Sequence, residues 1–201
     1  MKIDTIKLGI FQANCYILHL DNHMLCIDPG ANSAKLFAYF EQYPDEVLDA
    51  ICLTHGHFDH IGAVDDLVNR FHCPVYLSSE DNFLATHKEV NFSATRSAEI
   101  KGTIKSYPIK EMKVGPFEFV IIDTPGHTAG SVCLLFNDCI FTGDTLFKES
   151  VGRTDLFSGS DNKLKQSLNT LKSLDMSLIV YPGHAESTSI QAELINNPYL
   201  V

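Results

Sequence analysis

The sequence predicts an α/β (α+β) protein in which two β-sheets pack face to face and helices cover their outer sides. Three observations support this fold class. Short apolar runs bounded by polar residues, Gly or Pro dominate the chain. Each half of the chain places its strands first and a helix afterwards, an order that favours layered sheets. The 201 residues suit a single domain, residues 1–201, with a sizeable core.

The predicted strands are runs of four to eight residues that are mostly apolar and separated by turn residues. A polar break at residues 21–23 and the Asn-Asp pair at 137–138 predict two hairpin turns. Asp-Pro-Gly at 28–30 ends the second run. The strands are expected at residues 13–20, 24–27, 47–53, 75–77, 117–122, 131–136, 139–141 and 178–180.

The predicted helices repeat apolar residues every three or four positions. Ser33 is the expected N-cap of the first helix, and Pro74 follows the end of the second. Residues 91–101 show no clear period and predict a loop over the functional site. The helices are expected at residues 33–43, 61–71, 79–87, 164–174 and 187–194.

The chain is acidic, with a formal net charge of −10 from 15 Lys and Arg against 25 Asp and Glu. Contacts to phosphate need clustered basic residues, so nucleic acid is not an expected partner. No apolar stretch approaches the roughly 20 residues that cross a membrane, and the polar start does not read as a signal peptide. The six cysteines form no C-x-x-C pair, which favours a reduced, cytoplasmic setting.

Residues 54–60 read Thr-His-Gly-His-Phe-Asp-His and hold three imidazoles and one carboxylate. His55 and His57 lie two positions apart, so they share one side of an extended segment and can bind one ion. Asp59 and His60 follow directly and could serve a second ion. A carboxylate among imidazoles favours an open, reactive metal site over a closed structural one. The alternative is a histidine-rich surface turn with fortuitous weak metal binding.

Three later residues of metal-binding type each follow a glycine at the end of a predicted strand. The glycine lets the backbone turn tightly, so that the next side chain can project into a cleft. Strand ends also present reactive groups on a rigid scaffold. A single histidine in such a place could equally be a turn or core residue, but here the pattern recurs. The three residues are His127, Asp144 and His184.

Together these donors resemble the complete signature of the metallo-β-lactamase superfamily, in spacing and order, across nearly the whole chain. Within the superfamily the chain most resembles the glyoxalase II-like hydrolases, with further similarity at residues 14–16, 28–30, 143–147 and 152–155. The resemblance implies a four-layer αββα sandwich with the metals at one edge of the two sheets. The signature residues are His55, His57, Asp59, His60, His127, Asp144 and His184.

The resemblance also implies two divalent metal ions, with zinc expected first and iron or manganese as alternatives. It divides the donors into two sets that share Asp144: His55, His57 and His127 for one ion, and Asp59, His60 and His184 for the other. Two divalent ions, two carboxylates and one hydroxide leave a formal charge of about +1, which suits hydroxide formation near neutral pH. Asp59 is expected to be catalytic by orienting this hydroxide. The implied reaction is hydrolysis of a small thioester.

Other features bear on the small-molecule substrate. Longer glyoxalase II enzymes have a helical C-terminal extension that holds glutathione, and no such extension follows His184, so weak glutathione binding is expected. Arg153 is a candidate for binding a substrate carboxylate, or it could instead form a salt bridge to Asp155. Asp28 could fix the tautomer of a ligand imidazole, or it could simply end a turn. The oligomeric state stays open.

Other functions share parts of this signature. Persulfide dioxygenases resemble it and use one iron, for which His55, His127 and Asp144 would be the ligands. A non-catalytic metal-binding module would lack a donor, and none is missing. A β-lactamase would carry a signal peptide and a nuclease a basic surface, so both are less attractive. The histidines outside the pattern are expected to face solvent: His19, His23, His72 and His87.

Overall fold

The fold is built from two β-sheets and a set of short helices in the computed structural model, which describes residues 1–93, 96–108 and 110–200. The strands, in chain order, are β1 Lys2–Leu8, β2 Ala13–Leu20, β3 His23–Ile27, β4 Val47–Cys52, β5 Val75–Leu77, β6 Phe92–Ser93, β7 Arg96–Ser97, β8 Ile104–Ser106, β9 Glu111–Val114, β10 Phe117–Asp123, β11 Val132–Leu135, β12 Cys139–Gly143, β13 Leu146–Phe147, β14 Ser150–Val151, β15 Ile179–Pro182 and β16 Thr188–Ser189. The helices are α1 Ser33–Phe40, α2 Phe58–Ile61, α3 Val64–Phe71, α4 Asn82–Thr86, α5 Asp161–Lys172 and α6 Ile190–Asn196.

Each half of the chain forms one six-stranded sheet. The N-terminal sheet has the strand order β1-β2-β3-β4-β5-β8, and the C-terminal sheet has the order β16-β15-β12-β11-β10-β9. The first three strands of the N-terminal sheet are antiparallel, whereas β3, β4, β5 and β8 run parallel to one another. Two further strand pairs, β6 with β7 and β13 with β14, stand apart from both sheets.

The centre of strand β2, residues 15–18, is apolar and is buried on both faces. Tyr16 and Leu18 belong to the cluster between the two sheets, where the Tyr16 ring lies 5.0 Å from that of Phe141 in β12. Cys15 and Ile17 point the other way, into a cluster with residues of α1 and α3. A strand that is buried on both faces has a nearly continuous run of apolar residues.

The outer side of the C-terminal sheet is covered in the same manner. Ile140 of β12 and Val180 of β15 join a buried cluster with Leu164 and Leu168 of α5 and Ile190 of α6. The layers therefore run helix, sheet, sheet, helix, which confirms the αββα sandwich. Among the described residues, no helix is both long and apolar enough to cross a bilayer.

The helix expected at residues 61–71 is α3, which begins only at Val64, because the amides of residues 62 and 63 bond to another segment. The Gly62 amide donates to the carbonyl of Gly30 at 3.1 Å, and the Ala63 amide donates to Pro29 at 2.9 Å. These bonds replace the helical ladder between α2 and α3. The consequence is that residues 28–30 are tied to the segment that follows the histidine motif.

Other boundaries also differ from the predicted ones. Helix α1 begins at Ser33, with Asn32 rather than Ser33 as its N-cap, and ends at Phe40. The stretch 79–87 is a 3-10 turn followed by α4, and β16 precedes α6. Strand β1 was missed because it is an edge strand with an exposed lysine between two buried residues. The loop expected at 91–101 contains β6 and β7, and its residues 94 and 95 lie outside the described residues.

Candidate metal centre

The expected donors lie in the turns that follow four strands. Strand β4 ends just before the histidine motif at 54–60, and β10, β12 and β15 end shortly before His127, Asp144 and His184. Strand β4 belongs to the N-terminal sheet, and the other three belong to the C-terminal sheet. The donors therefore come together where the ends of the two sheets meet.

His55, His57 and His127 form the first group of donors. One ligand atom from each lies within 4.8 Å of the others, and His57 Nδ1 is 2.8 Å from His127 Nε2. All three side chains are buried. A tetrahedral zinc ion about 2.0–2.1 Å from each nitrogen separates the nitrogens by about 3.3 Å. The group is thus close to the arrangement that one zinc ion requires.

Asp59, His60 and His184 form the second group, again with ligand atoms within 4.8 Å of one another. His184 Nε2 lies 3.4 Å from Asp59 Oδ2 and 3.4 Å from His60 Nε2. His60 is buried, whereas Asp59 and His184 are half-buried. The second group is therefore the more accessible of the two.

Asp144 lies between the two groups. Its Oδ1 atom is 3.4 Å from His60 Nε2, and its Oδ2 atom is 3.4 Å from His127 Nε2 and 3.6 Å from His184 Nε2. One carboxylate thus reaches a histidine of the first group and two histidines of the second. This is the position that a ligand shared by two ions must occupy.

Two buried atoms in the cluster have no hydrogen-bond partner among the described residues: His55 Nε2 and Asp144 Oδ1. Leaving such an atom unpaired costs about 1–3 kcal/mol, and a metal ion would satisfy both. Thr54 explains which nitrogen of His55 is free. Its hydroxyl donates to Asp28 at 2.6 Å and accepts from His55 Nδ1 at 3.0 Å. The lone pair of Nε2 therefore remains available, and the donor set fits a divalent metal.

The surroundings of the histidines shift their pKa values in different directions. Burial lowers the pKa of His57 to about 3. Burial and the neighbouring histidines lower the pKa of His55 well below its ordinary value. Burial also disfavours charge on His60, but Asp144 and Asp28 outweigh it and raise the pKa of His60 to about 10. Neutral imidazoles can bind metal directly, whereas His60 must first release a proton.

Asp59 is an anion in this environment. Burial alone would raise the pKa of its carboxyl group, but a hydrogen bond with His184 and the charges of His60 and His184 keep that pKa well below the ordinary value. Asp59 can therefore accept a hydrogen bond or bind a cation at neutral pH.

Asp28 orients the histidine motif at 54–60 through hydrogen bonds. Its carboxylate accepts hydrogen bonds from the Thr54 amide at 2.8 Å and the Thr54 hydroxyl at 2.6 Å. The same carboxylate lies 3.0 Å from His60 Nδ1, so this nitrogen donates and Nε2 is left for a metal. Of the two roles considered for Asp28, the structure shows the contact to a donor imidazole.

Backbone carbonyl groups orient two further donors. His127 Nδ1 donates to the carbonyl of Arg153 at 2.7 Å, and His184 Nδ1 donates to the carbonyl of Phe11 at 3.1 Å. Each bond leaves Nε2 directed toward the cluster. The backbone at positions 11 and 153 is thus part of the scaffold of the centre.

Asp81, which the sequence analysis did not single out, joins the histidine motif to the loop after His127. Its carboxylate accepts from the Gly56 amide at 2.8 Å, the Gly130 amide at 2.8 Å and the Thr128 hydroxyl at 2.7 Å. Asp81 is buried, and burial raises its pKa. Its sequence context, Ser-Glu-Asp, reads as an ordinary helix start, so no local signal marks it.

The expectation that the remaining histidines face solvent is wrong for His19. This side chain is only 7% exposed, and its two ring nitrogens lie 2.6 Å from Glu46 and 2.7 Å from the Tyr39 hydroxyl. His72 is exposed, as expected. The apolar run before His19 gave no indication of the polar residues that reach it from other segments.

The donor cluster opens into a cleft of about 800 Å³. Arg153 lines this cleft, but its guanidinium group forms two hydrogen bonds to Asp155, at 2.6 and 2.7 Å. The salt bridge considered for Arg153 is therefore present. The apolar residues of the lining are Phe11, Phe58, Val90, Leu156 and Phe157.

An αββα sandwich with five histidines and two aspartates gathered at the sheet ends is the arrangement of a metallo-hydrolase. Residues 8–184 match the Metallo-beta-lactamase superfamily, and the chain belongs to this family. The fold of this family binds divalent metals, typically two, and the two donor groups suit such ions.

Two relatives align over almost the full length of both chains. The probable metallo-hydrolase YqgX of Bacillus subtilis (strain 168) is 36% identical over 207 residues, which cover 100% of this chain and 98% of the relative. The hydroxyacylglutathione hydrolase GloC of Haemophilus influenzae is 32% identical over 209 residues, with coverage of 100% and 98%.

Solved structures show the same similarity in three dimensions. The BLEG-1 B3 metallo-beta-lactamase superposes with a TM-score of 0.93 at 33% identity, over 100% of both chains. The di-iron-bound form of TTHA1623 superposes with a TM-score of 0.88 at 33% identity, over 98% of this chain and 100% of the other.

Proposed function

We propose that the protein is a glyoxalase II-like enzyme that hydrolyses a small thioester at a centre of two divalent metal ions. The observation that carries the proposal is the pair of three-residue donor groups, with Asp144 between them, at the base of one cleft. Zinc is the expected metal, and iron or manganese would use the same donors.

The relative GloC supports the substrate class. By its name it hydrolyses hydroxyacylglutathione, a thioester, and this chain covers 98% of its length. The named activity thus belongs to a protein of nearly the same extent. S-Lactoylglutathione is therefore a proposed substrate, in addition to smaller thioesters.

Bound ions would supply a water of lowered pKa and would polarise the thioester carbonyl. The chain's own residues orient and shield the reactants. Asp59, whose Oδ2 lies 3.4 Å from His184 Nε2, would accept a hydrogen bond from the attacking water and direct its lone pair. Phe11 and Phe58, with ring centroids 5.7 Å apart, line the cleft beside it. Because a thiolate is a good leaving group, no strong general acid is required.

Arg153 is proposed to meet an anionic group of the substrate when one is present. Its side chain is 62% exposed at the cleft and already pairs with Asp155. A substrate carboxylate would have to replace Asp155 in this bidentate pair. The contact would therefore contribute little net affinity.

We also propose a cytoplasmic location. All six cysteines are free and buried, which is compatible with a reducing compartment. Small-molecule substrates remain the proposed partners.

Two other reactions have a specific observation in their favour. A mononuclear iron dioxygenase acting on persulfides could use His55, His127 and Asp144, since Asp144 Oδ2 lies 3.4 Å from His127 Nε2. Hydrolysis of a β-lactam is suggested by the similarity to the BLEG-1 enzyme. Metal content and a substrate panel separate both from the thioester hydrolase.

Metal analysis is expected to give two ions per chain, mainly zinc, in protein purified without added metal. The reason is that seven donors form two adequate sets around Asp144. Elemental analysis of the purified protein gives the stoichiometry, and chelation followed by addition of one or two equivalents of zinc gives the number of ions needed for activity. One iron per chain, together with oxygen consumption when a persulfide is added, would contradict the hydrolase and support the dioxygenase.

S-Lactoylglutathione is expected to be hydrolysed with a high KM compared with enzymes that bind the glutathione moiety. Contacts to glutathione bind substrate and transition state alike. The sole Arg or Lys among the described residues of the cleft is already paired with Asp155, so weak glutathione contacts are expected and should raise KM more than they lower kcat. The comparison is a truncated lactoyl thioester, with a chromogenic cephalosporin and a persulfide in the same panel. If the glutathione moiety raises kcat/KM by a hundredfold or more, which corresponds to about 2.7 kcal/mol, weak glutathione binding is contradicted.

A further inference from the structure

Large apolar side chains gather at the mouth of the cleft although they are exposed to solvent. Phe11, Phe83, Leu156 and Phe157 are 48%, 50%, 40% and 47% exposed. The Phe157 ring lies 5.8 Å from Phe83. Scattered single apolar residues are normal on a protein surface, but a cluster that borders a cleft indicates a binding surface.

The charged side chains of the cleft do not offer a free cation. Among the described residues of the lining, Arg153 is the sole Lys or Arg, and Asp155 neutralises it through two hydrogen bonds. The remaining charges, Asp59 and Asp144, belong to the donor cluster. An anionic substrate arm would therefore meet an apolar surface without an unpaired Lys or Arg.

The apolar residues stand on the same segments that hold the donors. Phe11 supplies the carbonyl that fixes His184, and Phe58 directly precedes Asp59. Leu156 and Phe157 follow Arg153, whose carbonyl fixes His127. The distance from this apolar surface to the metal centre is therefore set by short stretches of backbone.

We propose that the apolar residues of the cleft lining form a wall that selects thioesters with an uncharged aromatic or branched aliphatic arm. The residues of this apolar wall are Phe11, Phe58, Val90, Leu156 and Phe157. The wall binds this arm while the reacting carbonyl lies at the donor cluster. The inference rests on the proposed thioester hydrolysis and names the substrate class. The arm can belong to the acyl or to the thiol part, and two matched series of substrates distinguish these cases.

The first series keeps an acetyl group and varies the thiol from methyl to isobutyl to benzyl. The second keeps a methyl thiol and varies the acyl group from acetyl to isovaleryl to phenylacetyl. In one series kcat/KM is expected to rise at least tenfold from the smallest to the aromatic member, mainly through KM. The series that shows the rise identifies the arm. No rise in either series overturns the proposal.

Variants of the wall test its location. Phe157→Ala is expected to remove most of the gain in kcat/KM for the aromatic substrate, mainly through KM, because uniform binding is lost. Phe157→Leu should retain most of the gain. Tyr199→Ala, at an aromatic residue that is 60% exposed and does not line the cleft, is the matched control. A gain that survives both Phe157→Ala and Phe11→Ala places the arm elsewhere and overturns the proposal.

A binding measurement separates this inference from the hydrolase proposal. Calorimetry is done with a benzyl thioether in which a methylene group replaces the carbonyl, so no hydrolysis can occur. Its affinity is expected to fall about tenfold in Phe157→Ala, which corresponds to about 1.4 kcal/mol. If this loss of affinity is measured but no thioester is hydrolysed, the binding surface is supported and the proposed thioester reaction is contradicted. If the affinity is unchanged, the proposed apolar wall is contradicted.

Discussion

Replacing Asp144 by alanine is expected to lower kcat on the order of 10²-fold or more while the fold is retained, because water activation depends on the metals. The Asp144 carboxylate lies 3.4 Å from His60 Nε2 and 3.4 Å from His127 Nε2, one in each donor group. Its removal should release at least one ion and increase the repulsion between any two that remain. Steady-state kinetics, metal content and far-UV circular dichroism of the same preparation measure the three effects.

The control for this variant is Asp138→Ala. Asp138 is exposed and precedes the same strand, β12, that Asp144 follows. It should keep both metal and activity. Asp144→Ala with full metal content and near-normal turnover would show that Asp144 is not shared by two ions.

Gly30→Ala is expected to destabilise the protein by at least about 2 kcal/mol and to reduce metal binding, because extra atoms in a packed site force backbone shifts. A Cβ atom at Gly30 would overlap the backbone carbonyl of Asp59. This overlap involves backbone atoms, so no side-chain rotation can relieve it. The shift must move Asp59 and His60 together, two donors of the second group. Thermal unfolding in the presence of a chelator measures the loss of stability of the metal-free protein. Elemental analysis measures the metal content of each variant.

Gly102→Ala is the matched control for Gly30→Ala. There a Cβ atom would come within 3.3 Å of a side-chain oxygen of Asp65, which can move at the surface. We expect a change in stability within about 0.5 kcal/mol, as for ordinary surface substitutions. Equal losses in both variants would mean that the loss is a general effect of glycine replacement and not a clash at the centre.

The proximity of the expected donor residues could be predicted from the sequence because each signal is local. His55, His57, Asp59 and His60 lie in one short motif, and the others follow a glycine at a strand end. The layers of the fold could be predicted for a similar reason, since a strand such as β2 that is buried on both faces is mostly apolar. The structure brings all the predicted donors into one cluster.

The features that were missed depend on contacts between distant segments. The break between α2 and α3 arises because Gly62 donates to Gly30, and no pattern within 61–71 reports that bond. His19 lies in an apolar strand, but its polar partners Tyr39 and Glu46 come from other parts of the chain. Tertiary contacts override local preference at such positions.

Asp81 changes what it means for a homologous gene to have an intact active site. Its carboxylate joins Gly56 of the histidine motif to Gly130 after His127, although it is not itself one of the donors. During evolutionary drift, a chain could keep every donor and still lose the centre through one substitution at this position. A motif search would count such a gene as functional. For related genomes, position 81 should therefore be read alongside the histidines when active and degenerate copies are distinguished.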